Sequence, residues 1–129
     1  MKKTTTDWLK SAENDLKTIE KIIDDNNLTP ISAFHAQQAI EKSFKAVIEE
    51  FDISFIRTHD LELLYHKIEE KVNFKIDPEL LQIMDEIYIS SRYPSDLGLM
   101  PYGNPTLKDV QKFFEFAKNI YKNIVLLLN

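Results

Sequence analysis

The sequence predicts an all-α protein: an antiparallel up-and-down bundle of four main helices and one short one. Three observations predict it. Apolar residues recur at steps of three and four along most of the 129 residues. The pairs Thr29-Pro30 and Asp77-Pro78 each read as a helix cap followed by proline in the first turn. Both glycines and three of the five prolines fall within residues 90–106, which leaves one long irregular segment in an otherwise helical chain.

The first helix is expected from a cap at Thr6 or Asp7 to about Asp25, with Trp8, Ala12, Leu16, Ile19 and Ile23 on one face. Asp24-Asp25-Asn26-Asn27 ends it, because these side chains compete for the backbone. The second runs from about Pro30 to Phe51, capped by Thr29, with Ala33, Ala36, Ile40, Phe44, Val47 and Phe51 as its apolar stripe. On its flank Gln38, Glu41, Lys42 and Lys45 sit at helical spacing, with His35 one turn earlier. Residues 52–57 form a connector whose apolar side chains are expected to lie against the core.

Thr58-His59-Asp60 opens a short third helix with Leu61, Leu64, Tyr65 and Ile68 facing inward. Helix four follows Asp77-Pro78 and carries Leu80, Met84, Ile87 and Tyr88 to Ser91 or Arg92. Thr106-Leu107-Lys108-Asp109 reads as a capping box with Asp in place of Glu. Helix five then shows Val110, Phe113, Ala117, Ile120, Ile124 and Leu127, and Phe114, Tyr121 and Leu128 widen its stripe beyond what one neighbour needs. With no repeat and no composition shift, one domain over residues 1–129 is expected.

Composition narrows the function classes. The absence of cysteine excludes disulfides, thiolate metal sites and thiol catalysis. A net charge of −5 argues against general affinity for phosphate backbones while leaving room for a local basic pocket. The first residues lack the apolar core of a signal peptide, and Ile124–Leu128 is too short an apolar run to cross a bilayer, so a cytoplasmic protein without membrane attachment is expected.

Several residues carry candidate chemistry. Arg92, where the chain leaves helix four, can grip a phosphate or carboxylate with its planar fork, or pair with Glu41 or Asp96. Tyr93 precedes Pro94 and is held extended; with Tyr102 it can stack on a base or pack on the protein. Gln38, Lys42 and Lys45 can donate to an anion, or stay solvated. His59 is read either as a base at a helix N-terminus or as part of a cap. Glu62, His66 and Glu70 share a helix face, which reads better as charged pairs than as a metal site; neither a metal nor a cofactor is expected.

These marks, taken in order, resemble the HEPN domain of bacteria and archaea. The carriers are Ala12-Glu13-Asn14-Asp15-Leu16, then Phe34 to Ala46 with its glutamine-rich run, Thr58-His59-Asp60-Leu61, Ser91-Arg92-Tyr93-Pro94, and the aromatic last helix. The resemblance implies a HEPN-like bundle that is usually a homodimer, often the partner of a minimal nucleotidyltransferase in a toxin–antitoxin-like pair. Some members are metal-independent RNases that use Arg followed, after four to six residues, by His. Arg92 matches the arginine, but Leu97, Gly98 and Leu99 occupy the window and no histidine follows. The chain is therefore similar to the Arg-Tyr-Pro branch, for which binding of a nucleotide or a nucleotidyltransferase is expected and no catalytic residue is assigned. Gln38, Lys42, Lys45, Arg92 and Tyr93 are the expected ligand-binding residues. The alternative is a divergent RNase, acting on RNA through Arg92 with His59 as base.

Overall fold

In a computed structural model the described residues are 1–91 and 103–129. Their regular structure is helical: α1 (Lys3–Ile22), a 3-10 turn (Asn26–Leu28), α2 (Thr29–Glu50), α3 (Leu61–Ile68), α4 (Pro78–Ser91) and α5 (Leu107–Leu128). The expected all-α bundle of four main helices and one short one is what the chain forms. Arg92, Tyr93, Asp96 and Tyr102 lie outside the described residues.

α2 is the central helix and touches each of the other four, while α1 also meets α5 and α3 meets α4. Small residues let it do so: Ala33, Ala36, Ala39 and Ala46 are all fully buried, so neighbouring helices approach its backbone closely. Phe44, Ile40, Ile19, Leu61, Leu64, Met84, Ile87 and Ile124 fill the space between them. Burial of each such side chain favours the folded state by about 1.5–3 kcal/mol.

α1 begins at Lys3, earlier than a cap at Thr6 or Asp7 would place it, and no side chain caps its N-terminus. Tertiary contacts hold the first turn instead. The Lys2 backbone N–H and the Thr5 hydroxyl both donate to Glu50 Oε1 at 3.0 Å, and Lys2 Nζ reaches the Glu49 carbonyl at 3.0 Å and the Asp52 carboxylate. These bonds tie the start of α1 to the end of α2 and make the pair antiparallel. Asp7 serves as the i, i+4 partner of Lys3, at 2.8 Å.

Thr29 is likewise not the cap of α2. The 3-10 turn intervenes, Asp25 accepts from the Asn27 N–H at 2.9 Å, and Thr29 is already helical with Pro30 in the first turn. At the other end Phe51 follows the last helical residue and is exposed, with the Lys71 ammonium 5.2 Å from its ring centre, so it does not complete the α2 stripe. In the connector Ile53 and Ile56 pack on the core as expected, whereas Phe55 stays 56% exposed.

The other start signals work as read. Asp77 Oδ1 accepts from the Glu79 N–H at 2.9 Å, and Thr106 and Asp109 exchange two bonds of 3.0 Å as a complete capping box. The wide stripe of α5 has an internal explanation. Phe114 and Leu128 are buried within the chain, because α5 packs against both α2 and α1.

Candidate functional site

The polar flank of α2 turns inward. Glu41 is only 3% exposed, and its carboxylate is the centre of a network. Lys45, one turn later on α2, donates to Glu41 Oε2 at 2.8 Å, and the Trp8 ring of α1 covers the same ammonium at 5.2 Å. The side-chain amides of Gln37 and Gln38 each approach Glu41 Oε1 at 3.4 Å, and Gln38 also donates to Gln37 Oε1 at 2.7 Å.

His59 is the solvent end of this network. Its Nδ1 lies 3.0 and 3.1 Å from the two oxygens of Glu41. A carboxylate already paired with an ammonium only accepts, so Nδ1 donates to it and Nε2 lies on the opposite edge of the ring. The His59 carbonyl accepts from Gln37 Nε2 at 3.2 Å, and the imidazole stacks on Tyr88 of α4 with centroids 4.5 Å apart. Backbone, ring nitrogen and ring face are each fixed by a different partner.

Capping of α3 falls to the neighbours of His59. Thr58 Oγ1 accepts from the Asp60 N–H at 3.1 Å, and Asp60 is the N-cap, accepting from the Leu63 N–H at 3.0 Å. Asp85 of α4 adds a cap from outside the helix, its two oxygens accepting from the N–H groups of Leu61 at 2.7 Å and Glu62 at 3.3 Å. Partial burial raises the Asp85 carboxyl from 3.8 to about 6, against the pull of those two N–H bonds, and the Asp60 charge adds to the rise. Arg57, Thr58, His59, Asp60, Asp85, Tyr88 and Ile89 line one cleft of about 310 Å³.

A second carboxylate is built the same way. Asp15, in the buried face of α1, accepts from His35 Nδ1 at 2.9 Å and from Lys42 Nζ at 2.8 Å. Phe34 links the two centres, with the His35 ring edge-on to it at 5.9 Å and Tyr88 stacked on it at 6.3 Å. His35 and His59 thus flank one aromatic row.

Of the residues singled out from the sequence, the structure joins His59, Glu41, Gln38 and Lys45 in one network and places Lys42 in the other. Both lysines are engaged inside the protein, which corrects the reading of a solvated flank. Among the described residues Glu41 is partnered by Lys45 and His59, and its expected pairing with Arg92 falls outside them. His66 pairs with Glu69 at 3.1 Å on an exposed surface. Arg57 and Asp85 were not singled out from the sequence, and Asp15 and Gln37 stood there only within the motifs that carry the resemblance. The signal for Asp15 and Asp85 was a lone carboxylate inside an apolar stripe, between Ala12 and Ile19 in one case and between Leu81 and Tyr88 in the other.

The fold and the site define an all-helical module with a buried ionic seam that opens at one histidine-lined cleft. The chain belongs to the HEPN domain family, whose sequence profile matches residues 5–127. It is 28% identical over 128 residues to the candidate toxin MJ1304 of Methanocaldococcus jannaschii, covering 91% of this chain and 83% of that protein. It also superimposes on the crystal structure of ST0689, an archaeal HEPN homologue, with a TM-score of 0.67, 20% identity and full coverage of both chains. That second likeness speaks for the fold.

Proposed function

We propose that this HEPN module, a single domain over residues 1–129, is the ligand- and partner-binding member of a toxin–antitoxin-like pair in the cytoplasm. It works as a homodimer alongside a minimal nucleotidyltransferase and takes a nucleotide in the cleft at His59. The observation that carries this reading is the anchoring of His59. Two charged side chains are desolvated at Glu41 and Lys45, which costs several kcal/mol per ion before their mutual attraction is counted, and the accessible end of that arrangement is one oriented imidazole beside a cleft. A buried network that fixes one exposed polar group serves binding or catalysis better than it serves stability.

In this reading Gln38 and Lys45 act from beneath, by holding Glu41, and Lys42 does the same through Asp15. Arg92 and Tyr93 follow Tyr88 by four and five residues in the chain and complete the ligand set. Similarity to a candidate toxin supports the pairing. Among the described residues no helix is long and apolar enough to cross a membrane.

A search of the neighbouring reading frames for a minimal nucleotidyltransferase, then co-expression of the two proteins and size-exclusion chromatography with light scattering, tests the pairing. A stoichiometric complex built on a dimer of this chain is expected. A free monomer at micromolar concentration would remove both the dimer and the partner.

The second reading is a metal-independent RNase using Arg92 with His59 as base, and a specific observation favours it. Glu41 holds His59 in the tautomer whose Nε2 can take a proton. It predicts RNA cleavage retained in EDTA and lost in both Arg92→Ala and His59→Ala. Cleavage that survives both substitutions belongs to another protein.

A further inference from the structure

Arg57 stands apart from the other charged residues near the cleft. It is exposed and makes no hydrogen bond or ion pair among the described residues. It nevertheless lines the same cleft as His59, two residues on, and Thr58 between them caps the next turn through its hydroxyl. The acids of this cleft are occupied: Asp60 accepts from the Leu63 N–H, and Asp85 from those of Leu61 and Glu62. Their negative charge faces the positive end of α3. The cleft therefore presents a guanidinium with no partner among the described residues, together with an imidazole of fixed orientation and carboxylates that are already satisfied.

We infer that Arg57 and His59 form the phosphate-binding pair of this cleft, taking the phosphate of a mononucleotide, with Arg57 as the anchor and His59 as the orienting partner. The inference rests on the nucleotide reading above and goes beyond it, since neither the sequence motif nor the family resemblance points to Arg57. The chemistry is specific. A planar guanidinium matches two phosphate oxygens at once, which a lysine cannot reproduce. An imidazole held at Nδ1 by a carboxylate can take up a proton at Nε2 and meet a third oxygen. The cleft volume of about 310 Å³ admits a phosphate and its sugar.

The test is isothermal titration of the wild type, Arg57→Ala, Arg57→Lys and Arg92→Ala with AMP, ATP and adenosine. Arg57 is exposed, so thermal unfolding of its variants should match the wild type and report intact folding. The pair predicts that AMP and ATP bind the wild type and adenosine binds at least about tenfold more weakly. It also predicts that Arg57→Ala loses about tenfold to a hundredfold for AMP, with Arg57→Lys recovering little of it. Wild-type affinity retained in Arg57→Ala while Arg92→Ala binds poorly would overturn the role of Arg57 and leave the nucleotide reading standing. Absence of heat with both nucleotides in the wild type would overturn the nucleotide reading, and the pair with it.

Discussion

Glu41 shows how much the cost of a residue depends on what it leaves behind. Removing its carboxylate strands the Lys45 ammonium, whose side chain is only 10% exposed, and frees the bonds of Gln37 and His59. Glu41→Ala is expected to destabilise the fold by about 3–5 kcal/mol in urea unfolding. Lys3→Ala, which breaks the exposed Lys3–Asp7 pair, should stay within about 0.5 kcal/mol of the wild type. Equal effects would mean that the seam is solvated and does not organise the site. Asp85 adds a pH signature. Its folded-state value is raised from 3.8 to about 6, so the native state holds the proton more tightly than the unfolded chain does. The resulting stabilisation is complete below about pH 4 and is lost as pH rises through about 6. Relative to Asp85→Asn, the wild type should therefore lose stability across that window and run parallel above it. Urea midpoints taken between pH 3.5 and 8 would show this; curves parallel throughout would contradict it.

At the scale of elements, two helix ends make opposite predictions. The capping box of α5 satisfies two backbone groups through Thr106 and Asp109, and Thr106→Ala should cost about 1 kcal/mol. The end of α2 turns through Asp52, which has a φ of 52° in the left-handed region, while the Ile53 N–H reaches back to the Ile48 carbonyl at 3.0 Å. Glycine adopts that conformation without steric penalty, and the Lys2–Asp52 pair that would be lost is largely exposed. Asp52→Gly is expected to stabilise by about 0.5–1 kcal/mol; a loss instead would show that the pair is what holds the two helices. These ends also show what was legible in the sequence. Caps that act within their own helix, such as Asp77 and Thr106, could be read directly, because donor and acceptor lie two or three residues apart. The start of α1 could not, because its bonds run from Lys2, Thr4 and Thr5 to Glu49 and Glu50, more than forty residues away.

For the whole molecule, the bundle was legible because the steps of three and four fix which faces meet. The site was legible only in part. Glu41, Lys45 and His59 were visible as residue types, but the folding of α3 against α2 is what brings the imidazole onto the carboxylate. Asp15 and Asp85 gain their meaning from neighbours 20 to 27 residues away, and Arg57 from the cleft that its segment forms with α4. The wide face of α5, in turn, is shared by α1 and α2 within the chain. Against a net charge of −5, a nucleotide must find a local arrangement of donors, and the cleft at His59 offers one. The most direct test is proton–carbon NMR of the three imidazoles during titration with AMP. The account predicts that the His59 resonance moves in a saturable way while that of His66, in the last turn of α3, outside the cleft lining and 77% exposed, stays in place. A His59 resonance that stays still while AMP binds elsewhere, or no AMP binding at all, would contradict it.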